Sequence, residues 1–225
     1  MALRSYIRGV FKRSAFIVPS APVLKKTPPV GPEWLHEVKH DGWRAQLYRS
    51  AAGAFIFSRN GKDISGRFSP IRAALGEIPA YFIIDAEIVG CDADGNPDFH
   101  ALTAGKAHGC CAWCFDLMMI EGKDVRHEPL EKRRARLQTI LRGADADLLR
   151  LSESFDDPVK LLEAAVELGL EGIVSKRRDQ AYRSGPNSGW VKVKTARWRE
   201  ANRDRWDSRV GEGASTRQGR QGDAL

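Results

Sequence analysis

The stretch "HEVKHDGWRA" (residues 36–45) sets one lysine between two carboxylates, beside a glycine and an arginine. In an extended chain side chains alternate, so Glu37, Lys39 and Asp41 would share one face. Gly42 interrupts the run and Arg44 follows. Taken alone, this is a solvated strand face carrying ordinary ion pairs, each worth roughly 0–1 kcal/mol. The rest of the chain decides whether it is more than that.

The chain has 225 residues, of which 42% are hydrophobic, enough to bury a core. No stretch reaches the roughly 20 apolar residues of a membrane span. The net charge of +7 and pI of 9.4 favour an anionic partner such as a nucleotide or nucleic acid. Residues 1–32 hold no acid but carry Arg4, Arg8, Lys12, Arg13, Lys25 and Lys26. They read as a basic arm able to touch a phosphate backbone, in preference to a transit peptide. The cysteines Cys91, Cys110, Cys111 and Cys114 make no disulfide framework. Cys111 and Cys114, with His100 and His108 nearby, lack a second ligand pair at zinc spacing and read as buried strand thiols. A reducing cytoplasm fits them.

Short strand-like runs mixed with a few helices point to an α+β fold rather than a regular βαβ series. "SRNGKD" (58–63) holds an Asn-Gly turn signal. "EPLEKRRARLQTILRG" (128–143) reads as a helix with Leu130, Leu137, Ile140 and Leu141 on its apolar side. A second helix begins at Asp156 or Asp157 as cap, with Pro158 in its first turn, and stops at Gly169. After Ala196 a short helix is expected, and then a disordered tail.

Three further segments place charge in strand-like runs. In "IIDAEIV" (83–89), Ile84, Ala86 and Ile88 face one way, while Ile83, Asp85, Glu87 and Val89 face the other. Carboxylates inside so apolar a strand are costly unless paired or metal-bound. In "GWVKVK" (189–194), Trp190, Lys192 and Lys194 share a face, and the lysines repel unless an anion lies between them. "LEGIVSK" (170–176) brings Glu171 and Lys176. No Walker A or Rossmann glycine fingerprint is present, so a triphosphate would be held by side chains.

In this order the motifs resemble those of ATP-dependent DNA ligases, and more widely of the lysine nucleotidyltransferases that include RNA ligases and capping enzymes. "KHDGWR" resembles the family's KxDGxR, with Lys39 in the place of the adenylated lysine. The resemblance implies Arg59 of "SRNG" near sugar and phosphates, Glu87 as a ribose- or metal-associated carboxylate, and Phe115 of "FDL" stacked on the base. It further implies Glu171 as a second metal-binding carboxylate, and Lys192 and Lys194 on the α-phosphate. Glu37 would recognise the adenine edge, Arg44 a phosphate, and Asp41 would orient the loop or the metal shell. The implied fold is α+β, with antiparallel sheets flanked by helices, an ATP-grasp-like nucleotidyltransferase domain.

The implied activity is sealing of 5′-phosphate/3′-hydroxyl breaks in DNA through a lysine–AMP intermediate, with ATP and magnesium or manganese. Nicked or broken duplex DNA is the implied partner, and bacterial end-joining ligases are the nearest in pattern. A lysine must be neutral to attack, while its reference pKa is about 10.4; carboxylates beside it oppose that. The expected organisation is a basic arm over 1–21, a nucleotidyltransferase domain over 22–198, and a short helix and tail over 199–225. Only about 30 residues follow Lys194, so the oligonucleotide-binding barrel of full ligases is expected to be absent, and DNA clamping to come from a separate protein. The alternatives are a non-catalytic nucleotide- or DNA-binding accessory, and an RNA ligase or GTP-using capping enzyme.

Overall fold

The computed structural model describes residues 16–93, 98–105, 109–186 and 188–203. The basic arm up to residue 15, the tail from 204 and His108 lie outside these. In chain order the elements are β1 (Val23–Leu24), β2 (Trp34–Val38), β3 (Trp43–Ser50), β4 (Gly53–Ser58), α1 (Ser69–Glu77), β5 (Phe82–Cys91), α2 (Phe99–Ala104), β6 (Gly109–Ile120), β7 (Lys123–Asp124), α3 (Leu130–Leu141), β8 (Leu149–Leu151), α4 (Pro158–Glu167), β9 (Gly172–Arg177), β10 (Val191–Lys194) and α5 (Ala196–Ala201).

Two sheets form. One has the order β1-β10-β9-β2, the other β4-β3-β5-β6-β7 with β8 added to β6. In the first, β9 runs antiparallel to both neighbours, with Gly172 opposite Lys194 and Ile173 opposite Val38. This register brings the end of β2, the start of β9 and the end of β10 to one sheet margin. In the second, β5 is central, with Arg44 of β3 on one side of Glu87 and Trp113 of β6 on the other.

Side-chain alternation assigns the layers. Ile84, Ala86 and Ile88 of β5 join Leu47, Ile71, Leu75 and Leu117 in a core beneath α1. Ile83, on the other face, packs with Tyr48, Phe115, Met118, Tyr182 and Trp190 between the sheets. Val191 and Val193 point away from that layer, onto Leu161 and Ala165 of α4. Asp157 caps α4 by accepting from the Val159 and Lys160 amides at 3.0 and 3.1 Å.

Three details differ from the sequence expectation. Residues 16–21, assigned to the arm, are laid into the body: Ile17 is buried and the Ala21 amide donates to Gly185 O at 2.9 Å. Strand β2 ends at Val38, so Asp41 does not continue the face of Glu37. Cys111 and Cys114, by contrast, are buried in β6 as expected. Helix α3 buries Arg133 and Arg134 with Leu130 and Leu137, where the pattern had them exposed, and its Ile140 and Leu141 lie partly buried against the core.

Arg133 is fully buried and forks onto Asp116 of β6, Nε to Oδ1 at 2.7 Å and Nη2 to Oδ2 at 2.9 Å. It also donates to the carbonyls of Glu128 and Gln180. Burial pushes the Asp116 carboxyl above its ordinary pKa, with Arg133 opposing. Removing one partner of such a pair strands the other charge. Arg133→Met is therefore expected to cost about 3–5 kcal/mol in urea unfolding, and the double substitution Arg133→Met/Asp116→Leu to recover most of it.

Candidate active site

A cleft of about 410 Å³ opens between the sheets. Glu37, Lys39, Arg44, Arg59, Glu87, Phe115, Glu171, Lys192 and Lys194 all line it. These residues are scattered over more than 150 positions of sequence, and the two sheets bring them to one place.

The centre is Lys39, just past β2, in the segment that crosses from one sheet to the other. Its amide still donates to Gly172 O at 2.9 Å. Its Nζ donates to Glu171 Oε2 at 2.7 Å, while Lys194 Nζ stands 2.7 Å from Oε1 of the same carboxylate. Glu37 and Asp41 are thus not the ion-pair partners of Lys39. Asp41 instead accepts from Trp198 Nε1 of α5 at 3.2 Å. Two glycines make the close approaches possible. A Cβ on Gly42 would lie 2.2 Å from Ile88 O, and one on Gly172 would lie 2.0 Å from Val193 O. The glycines of "KHDGWR" and "LEGIVSK" are therefore steric requirements of this crossing.

At one end of the cleft Glu37 is buried and holds three donors: Arg134 Nη1 at 2.6 Å on Oε1, with Lys176 Nζ at 2.8 Å and Ser152 Oγ at 3.0 Å on Oε2. Burial lowers the pKa of Lys176, Glu37 opposing. Its ammonium lies 4.4 Å from the Phe115 ring centroid and 4.3 Å from that of Trp190. Beside this box Arg44 forks onto Asp85 at 3.0 and 2.7 Å and donates to Ser20 O. Tyr182 completes the arrangement, donating to Asp85 at 2.7 Å and accepting from the Ser20 amide at 2.9 Å. Burial disfavours the Arg44 charge, but Asp85 holds its pKa above the ordinary value. A phosphate would have to compete with Asp85 for this guanidinium, so Arg44 stands with the aromatic end of the cleft.

At the other end positive charge accumulates. Burial pushes Lys192 down to about 8, and repulsion from Lys39, Lys194 and Arg59 adds to this. Glu87 accepts from the Gly42 amide at 3.2 Å. Burial pushes its carboxyl up to about 7, against the pull of Lys39 and Arg44. Next to Lys39, His40 stacks on Trp113, centroids 4.4 Å apart and planes 14° from parallel. Burial, then Lys39 and Lys176, hold His40 down at about 3, so it is neutral at physiological pH.

Sequence reasoning missed Arg134, Tyr182, His40 and Trp113 as parts of this site, and gave no role to Lys176. Only Lys176 carried a signal, as a lysine closing an apolar strand. The cleft offers an aromatic and hydrogen-bonding box at one end, a primary amine at the centre, and three further cations with two carboxylates around it. Its chemistry suits a nucleoside polyphosphate attacked by an amine.

Comparison with known proteins agrees. Residues 21–194 match the ATP dependent DNA ligase domain family. The multifunctional non-homologous end joining protein LigD of Pseudomonas aeruginosa is 38% identical over 185 residues, covering 80% of this chain and 22% of that protein. A DNA ligase of Pyrobaculum arsenaticum is 30% identical over 176 residues, 70% of this chain and 30% of its own length. The chain thus spans less than a third of either relative. A mycobacterial DNA ligase D structure in complex with ATP and MES superposes with a TM-score of 0.69 at 25% identity, over 79% of this chain and 60% of that one. With its motifs gathered in a single cleft and the match covering most of its length, the chain belongs to the ATP dependent DNA ligase domain family.

Proposed function

We propose that this chain is the adenylation domain, over about residues 22–198, of an ATP-dependent DNA ligase acting in end joining. The observation that carries this is the convergence of Lys39, Lys192, Lys194 and Arg59 with Glu87 and Glu171 in a cleft whose far end is the Glu37–Phe115–Lys176–Trp190 box. Lys39 Nζ, having lost a proton, forms a bond to the α-phosphorus of ATP, and the bond to the bridging oxygen breaks as pyrophosphate leaves. The product is a lysine–AMP phosphoramidate. AMP then passes to a DNA 5′-phosphate and is displaced by a 3′-hydroxyl.

The side chains divide the work. Phe115 offers its ring to the base and Glu37 an acceptor for the adenine amino group. Arg59, Lys192 and Lys194 neutralise phosphate charge. Arg44 and Asp85 brace the wall beside the ribose. Glu87 and Glu171 suit magnesium or manganese: both are hard oxygen donors, and the Glu87 charge is poorly compensated by its surroundings. Among the described residues no group of three His, Cys, Asp or Glu side chains is gathered for a metal. Carboxylates completed by substrate phosphates are the usual arrangement for magnesium. A cation held there would supply charge neutralisation at the phosphates and draw the Glu171 carboxylate away from Lys39. Clamping of duplex DNA is assigned to another domain or protein. No described helix is long and apolar enough to cross a membrane, and the proposed location is the cytoplasm.

Incubated with α-labelled ATP and magnesium, the full chain is expected to acquire acid-stable, protein-bound AMP, and Lys39→Ala to acquire none. Absence of label on the wild type, with and without nicked DNA, contradicts the proposal. GTP in place of ATP, and nicked RNA in place of DNA, are expected to give no product.

A pH dependence follows from Lys192. Its free-state pKa of about 8 lies where the ammonium begins to lose charge, and bound phosphate raises it. ATP affinity is therefore complete below pH 8 and falls as the pH rises above it. Calorimetric titration between pH 7 and 9.5 should show this slope, and Lys192→Arg, which keeps its charge, should flatten it.

A further inference from the structure

The segment that carries Lys39 crosses between the two sheets at residues 39–42, outside any regular strand. Nothing in an isolated turn of this kind would aim Nζ. Two of its residues rest on a cross-strand pair of the second sheet. Glu87 and Trp113 are opposite one another on β5 and β6. The Gly42 amide donates to Glu87, and the His40 ring lies flat on Trp113. Trp113 is itself held from β8, where Arg150 is its register partner and places its guanidinium 5.6 Å from the indole centroid. Positions 40 and 42 thus seat on neighbouring strands, with Lys39 immediately before them.

We infer that the His40–Trp113 stack is a positioning device for Lys39, fixing the crossing segment so that Nζ meets the α-phosphorus in line. This inference rests on the reading of Lys39 as the nucleophile and assigns a role to one unspecified motif position, His40, and to Trp113, which lies outside the motifs. The first variable position of KxDGxR is filled here by a ring that rests on the second sheet. Near-parallel ring pairs favour one orientation. A displacement of about 1 Å at a reacting atom costs on the order of 100-fold in rate. Trp113 and His40 are positioning residues and are given no contact with the reacting atoms. They act through the backbone that follows Lys39, where His40 meets Trp113 and Gly42 meets Glu87.

The test uses the full chain with His40→Ala, Trp113→Ala, the double variant and Trp113→Phe. Single-turnover lysine adenylylation at saturating ATP gives the rate, and calorimetry gives the ATP dissociation constant. Each alanine variant is expected to lose about 10- to 100-fold in rate with ATP affinity unchanged within about twofold. The double variant should lose no more than the worse single one, because the two rings act as one unit. Trp113→Phe, which keeps an aromatic surface, should recover most of the rate. Wild-type rates in the alanine variants, losses that multiply in the double variant, or losses in ATP affinity alone would overturn the inference. Should the wild type form no adduct, the proposed function falls, and nuclear magnetic relaxation of the amides of residues 39–42 decides the stack. Lost order in Trp113→Ala supports it, and unchanged order contradicts it.

Discussion

One carboxylate organises the centre of this molecule. Glu171 receives Lys39 on one oxygen and Lys194 on the other, both at 2.7 Å. The pairing is a consequence of strand register. Glu171 immediately precedes β9, and β9 lies antiparallel between β2 and β10. Residues following β2 and closing β10 must therefore flank the start of β9. Three motifs distant in sequence, around Lys39, Glu171 and Lys194, meet because a single sheet has this order and no other.

The second sheet supplies what the first cannot. Its central strand presents Asp85 and Glu87 on the face opposite Ile84, Ala86 and Ile88. Asp85 is consumed by Arg44 and Tyr182, which makes it a brace. Glu87 is left with a backbone amide and two cations at a distance, and burial pushes its carboxyl up to about 7 against their pull. The two carboxylates of "IIDAEIV" therefore do different work, although the sequence presents them as a pair. The excess positive charge of Lys39, Arg59, Lys192 and Lys194 opposes itself until an anion arrives. The polyphosphate proposed as ligand would relieve it.

Much of this was legible in the sequence because strands alternate with a period of two. The faces of β5 and β10 follow directly from Ile84/Ala86/Ile88 against Asp85/Glu87, and from Val191/Val193 against Lys192/Lys194. The Asp157 cap, the Pro158 start and the turn at Gly61 are equally local. What was not legible is long-range compensation of buried charge. Arg133 and Arg134 look like the wet side of a helix. They are buried because Asp116 and Glu37 wait for them, the latter 97 positions away. His40 and Trp113 likewise have no local signature, since each is an ordinary residue until the crossing segment meets β6. The extent of the arm failed for the same reason: Ile17 is bound by Gln46, 29 positions on.

In the proposed reaction Lys39 is stored on Glu171 and released to a nucleotide phosphate. The most direct measurement is a crystal structure of the full chain with magnesium and an ATP analogue that cannot be cleaved between the α- and β-phosphates. The expected result is the base against Phe115, the Lys39–Glu171 contact opened, and Nζ directed at the α-phosphorus. An analogue bound in the cleft with the 2.7 Å bridge intact and Lys39 turned from the phosphates would contradict it.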